Sequence, residues 1–306
     1  MTAVIEVDDL IKTYGGSRAV DGISFAVHEG EVLAILGPNG AGKSTTVEIL
    51  EGHRFRDGGN VRVLGVDPAE GGRRFRDRIG IVLQSAGVDS EFTVREVLEL
   101  YGFAYSKRRP VDELLAMVEL EEKADERVST LSGGQQRRID LALGLIGDPE
   151  LIFLDEPTTG FDPAARRRSW DLISNLTSLG RTVVLTTHYL DEAEHLADRV
   201  LVLVDGRIVA EGTPAELKAF AGAGTIIRFD LPTVDAPLGG LLDPLSGTVT
   251  GRGRAVEIVT SVPTADLAHL TGWALAQGVE LAGLSVTSQD LESVYLQLVG
   301  DNEGSQ

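Results

Sequence analysis

Apolar residues along the chain fall first into short runs and then into helical spacing. Val4–Val7, Ile23–Val27, Val32–Leu36 and Val61–Leu64 predict strands around a helix that opens at Lys43, and Ile79–Leu83 is a further buried run. From Thr93 to about Ala124 the spacing becomes helical, and Thr93 followed by Glu96 predicts an N-terminal capping box. A second helix is predicted from Gln135 to Ile146. Apolar strands return at Leu151–Leu154 and Thr182–Thr186, separated by a helix over Pro163–Leu179. Leu190–Ala197 reads as a short helix, Val200–Val204 as a strand, and Asp205-Gly206 as a tight turn into Arg207–Glu211. Strands alternating with helices predict an α/β fold with a parallel, doubly wound sheet. The first domain is expected over 1–220, with a helical subdomain over about 88–146.

The small-residue stretch Ala221-Gly-Ala-Gly224 breaks this pattern. Beyond it, Thr225–Leu231, Val256–Thr260 and Val279–Val286 predict strands, and Thr264–Ala276 and Gln289–Leu298 predict helices. A small C-terminal α+β domain over 225–300 is the expectation, followed by a disordered tail over 301–306.

Composition narrows the function classes. An apolar share of 42% with 25% charged residues is that of a globular protein with a sizeable core. A net charge of −19 argues against nucleic acid or anionic lipid as large-area partners, since both are bound by surface Lys and Arg. The segment 225–306, with ten acidic and three basic residues, argues the same way. Zero cysteines exclude disulfides and thiolate metal sites, and five scattered histidines offer no metal-ligand spacing. No apolar run approaches the length of a membrane span, and MTAVIEVDDL lacks the makeup of a signal peptide, so a cytoplasmic chain is expected.

The chemistry starts at Gly37-Pro-Asn-Gly-Ala-Gly-Lys-Ser-Thr45, which fits the phosphate-cradling pattern at Gly37, Gly42, Lys43 and Ser44. It follows an apolar strand and opens a helix, the setting such a loop requires. Glycines let backbone N–H groups turn toward phosphates, and the helix N-terminus adds partial positive charge. Lys43 can reach the β- and γ-phosphates, and Ser44 can ligate magnesium. The whole loop, Gly37, Pro38, Asn39, Gly40, Ala41, Gly42, Lys43, Ser44 and Thr45, is the predicted nucleoside triphosphate site.

Downstream lie Leu131-Ser-Gly-Gly-Gln135, then Leu151-Ile-Phe-Leu-Asp-Glu-Pro157, Phe161-Asp-Pro163 and His188. In this order the motifs resemble the ATP-binding subunit of an ATP-binding cassette (ABC) transporter, over residues 1 to about 220. Asp155 at a strand end is placed to hold magnesium, and Glu156 beside it to orient and deprotonate the attacking water. The resemblance implies that His188 contacts the γ-phosphate and positions Glu156, and that Gln84 bridges magnesium or water to the helical subdomain. It also implies that Tyr14 stacks on adenine. Ser132, Gly133, Gly134 and Gln135, at the start of a helix opening near Gln135, would contact ATP held by a partner subunit, with Asp162 near the interface. ATP and Mg2+ are the implied cofactors. The family pattern more often has Leu where this chain has Phe161, so altered packing is expected there. The other histidines, His28, His53, His195 and His269, are read as surface or packing residues.

A finer resemblance is to drug-resistance ATPases that serve separate ABC-2-type membrane proteins exporting daunorubicin-like antibiotics. It is carried by Glu51-Gly-His-Arg54, Val61–Pro68, Thr187–Glu194 and the tail Ser288–Leu296, which is shortened between Asp290 and Leu291. This likeness implies an ATPase working as a dimer, expected to be a homodimer, that drives a separately encoded permease from the inner face of the plasma membrane. No nucleic-acid partner is expected. Val88, Phe92, Tyr101, Phe103 and Tyr105 are candidates for a groove that accepts a permease helix, with packing inside the helical subdomain as the other reading. The competing functions are a soluble non-transport ATPase of the same superfamily and a nucleotide-dependent switch without turnover. One phosphate loop and no sustained heptads speak against the first, and intact Glu156 and His188 against the second.

Overall fold

The structure is a computed structural model that describes residues 2–82, 87, 89–178, 180–220, 225–231, 245–252 and 254–288, without the side chains of 176–178, 219–220, 251–252 and 288. Gln84, Val88, the helix expected over 289–298 and the tail 301–306 lie outside the described residues. The chain divides between Pro214 and Ala215 into two compact units.

The first unit runs β1 (Ala3–Tyr14), β2 (Ser17–His28), β3 (Val32–Leu36), α1 (Lys43–Leu50), β4 (Gly58–Val63), α2 (Gly72–Arg76) and β5 (Ile79–Val82). It continues through α3 (Val94–Gly102), α4 (Val111–Met117), α5 (Gly133–Leu145), β6 (Leu151–Asp155) and α6 (Pro163–Ser178). It closes with β7 (Thr182–Thr187), α7 (Leu190–Leu196), β8 (Arg199–Val204) and β9 (Arg207–Gly212). One sheet has the order β5-β6-β7-β3-β8-β9 and is parallel except for β9 at its edge. Its central strands are buried on both faces, which is why they read as unbroken apolar runs.

The second sheet, β2-β1-β4, is antiparallel. Its β1 and β2 are each 12 residues long, well beyond the runs expected from apolar content. One face of each is wet and polar, and Asp9 at φ 50° bulges β1 and interrupts its alternation. A single buried cluster joins Leu10 and Phe25 of this sheet to Val47 and Leu50 of α1 and to Phe153 and Val184 of the parallel sheet. The α1 helix, which carries the phosphate loop at its N-terminus, is thereby held in one core with both sheets.

The helical insertion opens as expected, with Thr93 Oγ1 accepting from the Glu96 amide at 3.2 Å and the Glu96 carboxylate accepting from the Thr93 amide at 2.8 Å. It consists of the short helices α3 and α4 where the spacing suggested continuous helix. The first ends at Gly102 and the second starts after Pro110, whose ring lacks an N–H and disfavours helix in the residue before it.

The second unit contains α8 (Pro214–Phe220), most of which follows the division, then β10 (Thr225–Asp230), β11 (Thr248–Arg252), β12 (Ala255–Thr260), α9 (Pro263–Gln277) and β13 (Ala282–Ser288). Its antiparallel sheet has the order β11-β12-β10-β13. Ile227, Phe229, Val256 and Ile258 pack against Leu270 and Ala274 of α9. The sequence reading missed β11, whose Thr-Val-Thr-Gly-Arg has a single large apolar residue. The start of β13 moves from Val279 to Ala282 because Gly278 adopts φ 64° and the Val279 amide bonds back to the Ala274 carbonyl, closing α9.

Candidate functional site

The loop between β3 and α1 is shaped by its glycines. Gly40 has φ 84° and Gly42 φ 100°, a region that favours glycine and lets successive amides turn inward as an anion cradle. A Cβ on Gly37 would lie 2.2 Å from the Leu203 carbonyl oxygen, and one on Gly42 2.2 Å from that of Ala19. Lys43 is buried at the first turn of α1, and its Nζ donates to the carbonyls of Gly37 at 2.8 Å and Pro38 at 3.1 Å. Burial pulls the Lys43 pKa down, against the opposing charges of Glu156 and Asp155.

Two carboxylates face this loop from the end of β6. Ser44 Oγ stands 3.5 Å from Asp155 Oδ1. These two hard oxygen donors fit magnesium, which takes oxygen ligands and usually keeps several of its waters. Lys43 Nζ lies 3.8 Å and His188 Nδ1 3.3 Å from the same atom, Glu156 Oε1, while Thr159 Oγ1 donates to Glu156 Oε2 at 3.0 Å. Glu156 has φ 45°, uncommon for a residue with a Cβ, and backbone strain of this kind persists where the surroundings over-determine it. Part of that determination is Thr186 on the neighbouring β7. Its hydroxyl accepts from the Glu156 amide at 3.1 Å and donates to Asp155 Oδ1.

Thr186 was not among the residues expected from sequence. Its signal there is a β-branched polar residue ending an apolar strand two positions before His188. Arg137 was also missed. Buried in α5, it donates from Nε to the Pro157 carbonyl at 3.0 Å, tying the helical insertion to the backbone just past Glu156.

The Ser-Gly-Gly-Gln segment is a helix start, though α5 opens at Gly133, two residues before the expected Gln135. Ser132 is the N-cap: its amide donates to Gln135 Oε1 at 2.9 Å and its Oγ accepts from the Gln135 amide at 3.4 Å. The Gln135 side chain is therefore spent on the cap, and the groups left to offer outward are the amides of the first turn. A Cβ added at Gly133 or Gly134 would meet nothing within 4 Å. Ser132, Gly134 and Gln135 share a cavity of about 200 Å³ with Phe161, Ala165 and Arg168, so the unusual Phe161 packs beside this segment. Asp162 N-caps α6, accepting from the amides of Ala165 and Ala164 at 2.9 Å each, and these bonds hold its pKa low.

Tyr14 ends β1 and is 41% exposed, and Lys12 and Arg54 each approach to 5.4 Å from its ring centre. Phe92, Tyr101 and Phe103 are exposed on the helical insertion. Tyr105 is half-buried and packs against Gly147, where a Cβ would meet its ring at 2.4 Å, so for this residue the packing reading holds.

Near enough to Asp155 to feel its charge is a carboxyl to which the sequence assigned no chemical role. Glu51, 4% exposed at the end of α1, has its pKa pushed up to about 8, by burial first and then by the charges of Asp155 and Glu48. The folded state therefore holds this proton to about pH 8, whereas an unfolded chain releases it from the ordinary 4.5. The associated stability is complete below pH 4.5 and lost as pH rises toward 8. Glu51→Gln is expected to match the parent below about pH 4 and exceed it by up to a few kcal/mol at pH 8.5 in denaturant unfolding. A variant no more stable than the parent at the higher pH would contradict this account.

Comparison with known proteins gives the same outline. The ABC transporter family model matches residues 20–159, and a model described as the C-terminal domain of ABC transporter domain-containing proteins matches 225–289. The daunorubicin resistance ATP-binding protein DrrA3 of Streptomyces coeruleorubidus is 40% identical over 97% of this chain and 96% of its own length. The Nod factor export ATP-binding protein I of Rhizobium etli is 46% identical over 98% of this chain and 94% of its own length. Among solved structures, a dimeric ATP-binding cassette in a post-hydrolysis state with ADP and phosphate bound is 30% identical over 68% of this chain and 98% of that one, with a TM-score of 0.59.

Proposed function

The chain belongs to the ABC transporter family as an ATP-binding, ATP-hydrolysing subunit, and on that premise we propose that it powers an ABC-2-type exporter of drugs or other hydrophobic compounds. The observation that carries the catalytic reading is the convergence of Lys43 and His188 on Glu156 Oε1. Gly37 to Thr45 cradle the phosphates, Lys43 neutralises them, and Tyr14 stacks on adenine. Ser44 and Asp155 hold magnesium, which screens the phosphate charge when bound. Glu156 takes the proton of the attacking water, while His188 orients Glu156 and contacts the γ-phosphate. Gln84 is assigned by resemblance alone to the link between this site and the helical insertion.

ABC cassettes dimerise and work with membrane permeases. Here the proposed dimer is a homodimer in which Ser132 and the amides of Gly133, Gly134 and Gln135 meet ATP held by the partner, with Asp162 beside the interface. The open space at Gly133 and Gly134 supports this reading, because packing within the chain gives no reason for glycine there. Residues 1–220 form the cassette and 225–300 an accessory domain in this proposal. Among the described residues no helix is long and apolar enough to cross a membrane. In this proposal force passes to a separately encoded permease, which holds the subunit at the inner face of the plasma membrane. Exposed Phe92, Tyr101 and Phe103 are the proposed permease contact.

Two measurements test this reading. With ATP, a Glu156→Gln protein is expected to elute as a dimer, and adding Ser132→Arg should return it to monomer with ATP affinity within about threefold. A monomer in the first case, or an undisturbed dimer in the second, removes the composite site. The tagged chain should also retain a polytopic membrane protein from detergent-solubilised membranes, and Phe103→Asp should weaken that retention; equal retention would remove the contact assignment.

A further inference from the structure

Glu192 is fully buried in α7, four residues after His188. Its Oε1 accepts two hydrogen bonds, from Thr158 Oγ1 at 2.7 Å and from Trp170 Nε1 at 3.1 Å. A buried carboxyl with this desolvation is costly unless its bonds are needed, and burial raises its pKa against the pull of its donors. Each donor lies on a different arm of the site. Thr158, also fully buried, is two residues past Glu156 in the turn where the Phe161 amide bonds to the Thr158 carbonyl. Trp170 lies on α6, the helix capped by Asp162.

Other contacts join the same two helices. The Arg166 guanidinium stacks over the Tyr189 ring at 3.9 Å and meets Asp191 at 3.4 Å, and Trp170 stacks on His195 at 5.0 Å. These fix α6 to α7, but among the described side chains it is Glu192 that also reaches the turn carrying the base.

From this junction we infer that Glu192 is a positioning residue for hydrolysis, holding the Thr158 turn and the start of α7 in register so that Glu156 and His188 meet at 3.3 Å. The inference rests on the proposed roles of Glu156 and His188. What the junction requires is an acceptor at Oε1, so glutamine can replace glutamate while alanine cannot. A displacement of the base by about 1 Å reduces the chemical step by up to about a hundredfold.

The test compares kcat and KM for MgATP, fluorescent-ATP affinity and Tm in the full chain, for Glu192→Ala, Glu192→Gln, Thr158→Val and Glu156→Gln. Glu192→Ala and Thr158→Val are expected to lose about tenfold to a hundredfold in kcat with KM and ATP affinity within about threefold, and Glu192→Gln to stay within about threefold of the parent. Thr158→Val keeps side-chain volume, so it decides the matter if Glu192→Ala does not fold. The inference is overturned if Thr158→Val keeps the parental kcat, if its loss is matched in ATP affinity and Tm, or if Glu192→Gln is as slow as Glu192→Ala. Undiminished hydrolysis by Glu156→Gln would instead overturn the underlying site assignment.

Discussion

A Glu156→Gln protein is expected to bind ATP as the parent does and to hydrolyse it about 10²- to 10⁴-fold more slowly, the range a general base contributes. Glutamine keeps the length of the side chain and can still accept from Thr159 Oγ1, which lies 3.0 Å from Oε2. What it lacks is the charge and the basic lone pair at Oε1, where Lys43 and His188 converge at 3.8 and 3.3 Å. The phosphate cradle does not depend on that charge, because Lys43 is also held by the Gly37 and Pro38 carbonyls. The barrier should therefore rise by roughly 3 to 5 kcal/mol with ground-state binding unchanged. Phosphate release at saturating MgATP, alongside titration with a fluorescent ATP analogue, separates the two effects. Turnover at the parental rate would show that Glu156 is not the base, and a parallel loss of affinity would place it in binding.

Gly42→Ala should have the opposite signature, losing ATP affinity by about a hundredfold or more while the catalytic carboxylates stay intact. At φ 100° any Cβ is strained, and here it would also sit 2.2 Å from the Ala19 carbonyl oxygen. That atom is backbone in β2, whose Val20 and Ile23 belong to the main core, so the loop has to give rather than the sheet. Relief demands a shift of about 1 Å at the N-cap of α1, the point from which amides face the phosphates. Strain of about 1–2 kcal/mol in the left-handed region should also lower Tm by a few degrees. Fluorescent-ATP titration with thermal unfolding checks both, and an affinity within about threefold of the parent would show that the close approach to Ala19 does not fix the loop.

Much of this was legible in the chain because its signals are local. A glycine loop between an apolar strand and a helix, a Thr-x-x-Glu cap and paired carboxylates at a strand end involve neighbours in sequence. The comparisons with known proteins support the family resemblance those motifs suggested, and with it the fold and the ATPase activity. Signals that failed were also local, but weak: β11 has too few apolar residues to read as a strand, and nothing in the helical spacing after Thr93 marks the end of α3 at Gly102.

The remaining features join residues far apart in the chain. Thr186 orients Asp155 and Glu156 across 30 or so positions because β6 and β7 pair in parallel with Asp155 opposite Thr186. Glu192 reaches Thr158, and Arg137 the Pro157 carbonyl, only because α7, α6 and α5 close around one strand end. Glu51 stands in a segment that carries the family resemblance, but its proton affinity is set by burial and by the charges of Asp155 and Glu48. By itself the sequence determined the family and the candidate groups for its chemistry, since glycine conformations, charges and strand patterns are properties of short segments. The tertiary structure decided how those groups are held, since hydrogen bonding and desolvation depend on which distant segments pack together.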